Sequence, residues 1–318
     1  PSSNSPPYAV SDWLQSQQLF VIATLVRIKG CLYLANFIFI TAVTILIVKT
    51  MRKKPTMKKE IRYFLLCHHL LCSSLYCCFG MVSNMIQMFH VKQVWIWITF
   101  GVQAAVGKTV LVTLALMAMN TCLAICWPLR YPAFLHAVKL RVIICVWIGT
   151  ILISVCLIIA ESAYSDPEEV SEVELSCPAL LSSNFAKITG IALILLLSAI
   201  ITTAYFFLYR EGKHRGHFNS SNKKARKTII FHGLQISFYI IPSLIIRAIG
   251  KDAKYTAVKF AAFVFFIFAQ SFSPVVYGLR NKELQEEICM RPRRKLSSND
   301  LGNLQLQKLQ LTQSSENQ

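Results

Sequence analysis

The stretch NTCLAICWPLRYPAF, residues 120–134, closes a long apolar run and turns into Pro, Arg, Tyr and Pro. Pro128 lacks a backbone donor and cannot freely continue a helical ladder, and Pro132 disfavours helix at Tyr131. The pattern predicts a helix that ends or tightens here and leaves Arg130 at a polar surface. The same stretch is unusual at its start, where Asn120, Thr121 and Cys122 carry no charge.

Outward from this stretch, apolar blocks recur along the chain. Its 318 residues are 54% hydrophobic and 15% charged, with a mean hydropathy of +0.49. Soluble domains usually carry about 25% charged residues, so this composition argues against one or two water-soluble domains. A bilayer-crossing helix needs roughly 20 mostly apolar residues. Seven such blocks stand at 28–48, 61–89, 94–126, 140–160, 185–209, 228–249 and 256–279. Backbone polar groups in lipid must be satisfied within the segment, which selects helices. Barrel strands would alternate polar and apolar at every second position, and these blocks do not. The expectation is an all-α membrane protein, a seven-transmembrane helix bundle. The third block holds Gln103, Gly107 and Lys108, reads as the least apolar, and is expected to be shielded by its neighbours. No short apolar segment with a cleavage site opens the chain, so no removable leader is expected.

The formal net charge of +18 is distributed by loop. The first connection holds Lys49, Arg52, Lys53, Lys54, Lys58 and Lys59, and the third holds Arg130, Lys139 and Arg141. The fifth, REGKHRGHFNSSNKKARK, has seven basic residues and one acid; the fourth, ESAYSDPEEVSEVELSC, has six acids and no base. Basic connections mark the cytoplasmic side. This puts the N-terminus outside and the C-terminus in the cytoplasm. The charge is then a topology signal rather than a nucleic-acid footprint, which would gather on one soluble face. Residues 1–27 read as an extracellular segment, 28–280 as the transmembrane domain, 281–290 as a short amphipathic helix on the membrane surface, and 291–318 as a disordered cytoplasmic tail.

With these seven blocks in place, the quoted stretch resembles the second intracellular loop of rhodopsin-like G-protein-coupled receptors, most closely the odorant type. Leu123, Ala124, Ile125, Cys126, Pro128, Leu129, Arg130 and Tyr131 match that pattern. SFSPVVYGLRN, residues 271–281, is similar to the odorant-type seventh helix, where an Asn-Pro-x-x-Tyr element precedes Ser-Leu-Arg-Asn. Pro274, Tyr277, Leu279, Arg280 and Asn281 match it. Trp147 stands where the fourth helix of the superfamily usually has Trp, and KARKTIIFHGLQ resembles the sixth-helix start of teleost odorant receptors. An orphan rhodopsin-like receptor also shares the uncharged, Thr-containing triplet before a similar turn.

The resemblance implies a receptor of the plasma membrane that binds a small ligand from outside and signals to a heterotrimeric G protein. It implies G-protein contacts at Thr121, Cys122, Pro128, Arg130, Lys224 and Arg226, and helix geometry set by Pro274 and Tyr277. The departures are as informative. Asn120, Thr121 and Cys122 replace the family's acid-Arg-Tyr triplet, and Ser273 replaces its Asn before Pro274. Ser73 stands for the usual second-helix Asp, and Thr44 for the usual first-helix Asn. The lost charges support an alternative: a receptor-derived scaffold or assembly partner with weak or lost coupling. The family's disulfide joins the outer end of the third helix to the second outer loop. Cys177 supplies the loop half, but the outer third block has no Cys, so Cys177 is free or paired elsewhere, with Cys31 a weak candidate.

Lys108 stands 13 residues before Thr121, about 20 Å at the helical rise. A charge at such depth costs at least ~2.5 kcal/mol and usually faces the bundle interior. One reading is a lysine satisfied by hydroxyls, carbonyls and water, or left neutral. The other is a counter-charge for a carboxylate or another acceptor on a ligand. Gln103 would lie further out along the same helix, and Gln270 could face the same cavity. Tyr239 and His232 are weaker members that could equally be core. Lys259 is near the outer end of the seventh block, which argues against a Schiff-base pigment. The sequence shows no paired carboxylates, nucleophile elbow or phosphate loop, so no enzyme is expected. No internal repeat suggests a transporter. Most of the 11 cysteines lie inside the apolar blocks, where they read as small apolar residues. His68 and His69 are adjacent, hence on different helix faces, so no metal and no cofactor is expected. Cys289 after KELQEEI is a palmitoylation candidate, and Ser297 and Ser298 follow a basic cluster.

Overall fold

The computed structural model describes residues 7–53, 60–89, 93–127, 131–164, 184–214, 223–249 and 253–280. Among these, seven α-helices follow one another and no strand occurs: α1 Pro7–Lys53, α2 Ile61–Met88, α3 Gln93–Cys126, α4 Tyr131–Tyr164, α5 Asn184–His214, α6 Lys223–Ile249 and α7 Thr256–Arg280. A 3-10 turn, Ala253–Tyr255, leads into α7. The first five are long and apolar enough to cross a bilayer. α6 and α7 carry shorter apolar stretches, Ile236–Ile249 and Thr256–Phe272. At 27 and 25 residues these two are still about 40 Å long, against a hydrocarbon layer of about 30 Å.

Helix ends depart from the hydropathy limits in a consistent direction. α1 begins at Pro7 rather than near residue 28. Pro is well suited to a first helical position, and no further Pro and no Gly intervene before Gly30. The hydropathy block 28–48 therefore falls within the apolar part of α1, Ala23–Lys53, and short of the full helix. α4 similarly begins at Tyr131 instead of 140. Pro132 disfavours helix at its predecessor, but in a first turn its missing N–H would be unpaired in any case. At the end of α3 the Trp127 amide donates to the Leu123 carbonyl at 2.9 Å, completing one last turn.

Helices α1, α2, α3, α5, α6 and α7 close into a ring, with α4 packed outside it on α3. α3 packs on α2, α4 and α5; α1 packs on α2 and α7; α6 lies between α5 and α7. The core runs through Val106, Val110 and Leu114 of α3 to Tyr239 of α6 and Phe266 and Ala269 of α7. The apolar stretch of α3 is 61% buried and that of α4 only 17%. The shielding expected for the third block is therefore present. α2, not α3, is marginally the less apolar of the two.

Candidate ligand-binding site

A cavity of about 130 Å³ opens between α3, α5, α6 and α7, with α2 contributing Tyr76. Its polar wall is Tyr76, Gln103, Lys108, Ser243 and Arg247. Lys108 and Gln103 reach it from the first half of α3. Both are at most 5% exposed. The Lys108 ammonium donates to Ser154 Oγ of α4 at 2.7 Å, and the Gln103 amide donates to the Tyr33 hydroxyl of α1 at 3.0 Å. Gly80 on α2 makes that second contact possible. A Cβ there would stand 2.5 Å from the Tyr33 ring and 2.6 Å from the Gln103 amide nitrogen.

Arg247 is the residue that sequence reasoning missed. It stands near the end of α6, where a cation reads as an interfacial anchor. Its guanidinium instead turns inward over Gly190 of α5 and donates to the Ala186 carbonyl at 3.2 Å. A side chain at Gly190 would collide with it, so the small residue admits the cation to the cavity.

Tyr239 and Gln270, the other two expected ligand residues, are not on the wall. Each lies one helical turn deeper on the same helix face: Ser243 and Phe266, four residues away, line the cavity in their place. Tyr239 is fully buried and packs edge-on against Phe266 (5.7 Å) and His69 (6.0 Å). Gln270 joins a polar cluster of α1, α2 and α7. Its Oε1 accepts from Cys77 Sγ (3.1 Å) and Asn36 Nδ2 (3.4 Å), and Ser271 donates to Asn36 Oδ1. Asn36, unremarked in the sequence, is the polar anchor of α1. Thr44 merely bonds its own helix at the Ile40 carbonyl.

Beside the cavity, hydroxyls and imidazole tie α3 to α2 and α4. Trp147 Nε1 donates to His68 Nε2 at 3.0 Å. The imidazole proton is therefore on Nδ1, which faces Thr113 Oγ1 at 3.2 Å. Thr113 in turn donates to the Thr109 carbonyl at 2.7 Å, and the Thr109 and Thr150 hydroxyls lie 2.9 Å apart. His68 turns to α4 and His69 to α6, so the pair does not converge on one point.

At the other end of α3, Thr121 donates to the Met117 carbonyl of its own helix at 2.9 Å. Cys122 and Cys126 are i, i+4 neighbours with sulfurs 3.8 Å apart. Asn120 is 8% exposed. Of the other expected G-protein contacts, Lys224 and Arg226 lie in the first turn of α6, but their side chains are outside the described residues, as is that of Tyr277. Pro274 is buried within α7. Pro128, Arg130, Cys177, Cys289, Ser297, Ser298 and the segments 281–290 and 291–318 also lie outside the described residues. Cys31 is free and exposed.

Comparison with known proteins agrees with this architecture. Residues 88–276 match the family described as serpentine type 7TM GPCR chemoreceptor Srv. The chain is similar to human olfactory receptor 4M1, 24% identical over 80% of this chain and 86% of that protein. It is 28% identical to odorant receptor 131-2 of Danio rerio, over 54% of this chain and 57% of that one. Human olfactory receptor 11A1 is 23% identical over 55% of the chain, which spans 59% of that receptor's length. With the family match covering more than half of the sequence and running from the end of α2 into α7, the chain belongs to the serpentine seven-transmembrane G-protein-coupled chemoreceptors.

Proposed function

We propose that this chemoreceptor sits in the plasma membrane with its N-terminus outside, binds a small ligand in the α3–α5–α6–α7 cavity, and signals to a heterotrimeric G protein. The observation that carries the reading is the cavity itself: two cationic residues and a glutamine line one small space inside an apolar bundle. Intramembrane charge is costly and is characteristically functional. The orientation rests on the basic connections. A protease tag within 161–177 should be cut from outside intact cells and one within 212–222 should not; the reverse pattern overturns the orientation.

One observation favours a second reading, a receptor-derived scaffold with lost coupling. Asn120, Thr121 and Cys122 stand where the family has its charged triplet, and the Thr121 hydroxyl bonds its own helix, so this triplet offers neither the family's ion pair nor its arginine contact. G-protein dissociation measured across the Gα classes, with a library of small odorant-sized compounds, separates the two. Ligand-dependent dissociation in any class supports the receptor reading. Silence in every class, with normal surface expression, supports the scaffold.

A further inference from the structure

We infer that the cavity takes a small organic carboxylate, held between the Lys108 ammonium and the Arg247 guanidinium. The inference deepens the receptor reading, since it takes this cavity as the ligand site. Two charged groups line the cavity, both are cations, and no Asp or Glu is among the described wall residues. Their donor capacity is far from used. An ammonium has three N–H donors and a guanidinium five. Lys108 gives one to Ser154 and Arg247 one to the Ala186 carbonyl. Each cation therefore keeps N–H donors beyond the bond it makes. A planar carboxylate suits the guanidinium fork, and charge-assisted bonds are the strong ones.

The rest of the wall limits the ligand's body. Phe100, Leu111, Leu193, Ile194, Phe263 and Phe266 make it apolar. The volume of about 130 Å³ is close to that of an engineered cavity of about 150 Å³ that holds benzene. The fitting ligand is a monocarboxylate with an apolar part of roughly one ring or a short alkyl chain. An amine would meet two like charges. A neutral alcohol or amide would leave both cations without an anionic partner.

The test is equilibrium binding to the purified full-length receptor in lipid nanodiscs. The probes are benzoate and hexanoate, with benzamide, benzylamine and inorganic sulfate as contrasts. Benzoate should bind at least about tenfold more tightly than benzamide, the step expected from one charge-assisted contact. Benzylamine should not bind. Lys108→Gln and Arg247→Gln should each weaken benzoate by about tenfold or more and leave benzamide within about twofold, a split that simple misfolding would not give. Gly190→Ala, which pushes the guanidinium aside, should weaken benzoate in the same way. If either charge variant fails to fold, the comparison of benzoate with benzamide on the native receptor still decides. Equal binding of benzamide, unchanged benzoate binding in both charge variants, sulfate binding as tightly as benzoate, or no binding of either carboxylate overturns the inference. Benzoate binding without G-protein dissociation would sink the signalling proposal and leave the carboxylate site standing. Responses confined to neutral compounds would do the opposite.

Discussion

Helix α4 is the most apolar of the five long spans and the least enclosed, whereas α3 beside it buries Gln103, Lys108, Thr109, Thr113 and Asn120. In water the pair would be arranged the other way, with the greasy helix inside. α4 turns Leu140, Ile144, Ile148, Leu152 and Ile159 outward, because hydrocarbon is the solvent on that side. The polar side chains of α3 shelter in the ring because lipid offers them no hydrogen-bond partner. The same sorting produces the candidate site: groups that lipid rejects are collected inside the ring, and there they bond one another.

The largest effect that could break this contrast is truncation in the core. Leu114 has no exposed surface, so Leu114→Ala should cost about 2–5 kcal/mol of stability. Leu152→Ala on the outer face of α4 should stay within about 0.5 kcal/mol. Thermal unfolding in detergent compares the two, and equal losses would contradict the placement of α4. Adding a charge sharpens it from the other side. Leu152→Asp should raise the cost of membrane insertion by about 3–4 kcal/mol, read as the fraction of α4 inserted; an unchanged fraction would mean that residue 152 is sheltered.

Smaller effects probe the seam between the helices. Trp147→Phe removes the donor to His68 Nε2 and should cost about 1–3 kcal/mol. A loss below about 0.5 kcal/mol would show that the imidazole is satisfied another way. Asn120→Asp, Thr121→Arg and Cys122→Tyr together restore the charges missing from the α3 end. If their loss limits coupling, nucleotide exchange per surface receptor should rise several-fold; exchange at background with normal expression would favour the scaffold. The smallest effect is a predicted absence. Ser73 is fully buried where the family has a carboxylate, so agonist affinity should not respond to sodium at matched ionic strength. A sodium-specific loss would contradict that.

The helical architecture was legible because lipid imposes one rule on every span, and composition alone reveals it. Turn chemistry located the end of α3 as well, through Pro128, whereas Pro132 did not keep Tyr131 out of α4. Lys108 was legible for the same reason as the fold: a charge at mid-depth in an apolar run must turn inward. Arg247 was hidden because it lies two residues from the end of α6, where snorkelling to the interface is the ordinary outcome. The inward turn is revealed by tertiary contacts alone, the packing of the guanidinium against Gly190 and its bond to the Ala186 carbonyl. Tyr239 and Gln270 show a different limit. Sequence placed both residues inside apolar helices, but depth along α6 and α7 is set by where Tyr239 and Phe266 meet beneath the cavity. Asn36 escaped notice because its partners are 41 and 234 residues away in sequence, a contact that no local pattern carries.

In the proposed arrangement one face of α3 lines a ligand cavity while its apolar neighbour α4 faces lipid. Ala104 lies on the cavity wall, and Leu152 lies on the outer face of α4. Reaction of Ala104→Cys and Leu152→Cys with a membrane-impermeant, anionic thiol reagent in nanodiscs compares the two positions directly, over the background of the native cysteines. Residue 104 should be labelled and protected by benzoate, and residue 152 should stay unlabelled. Labelling of 152 but not 104 would contradict this arrangement.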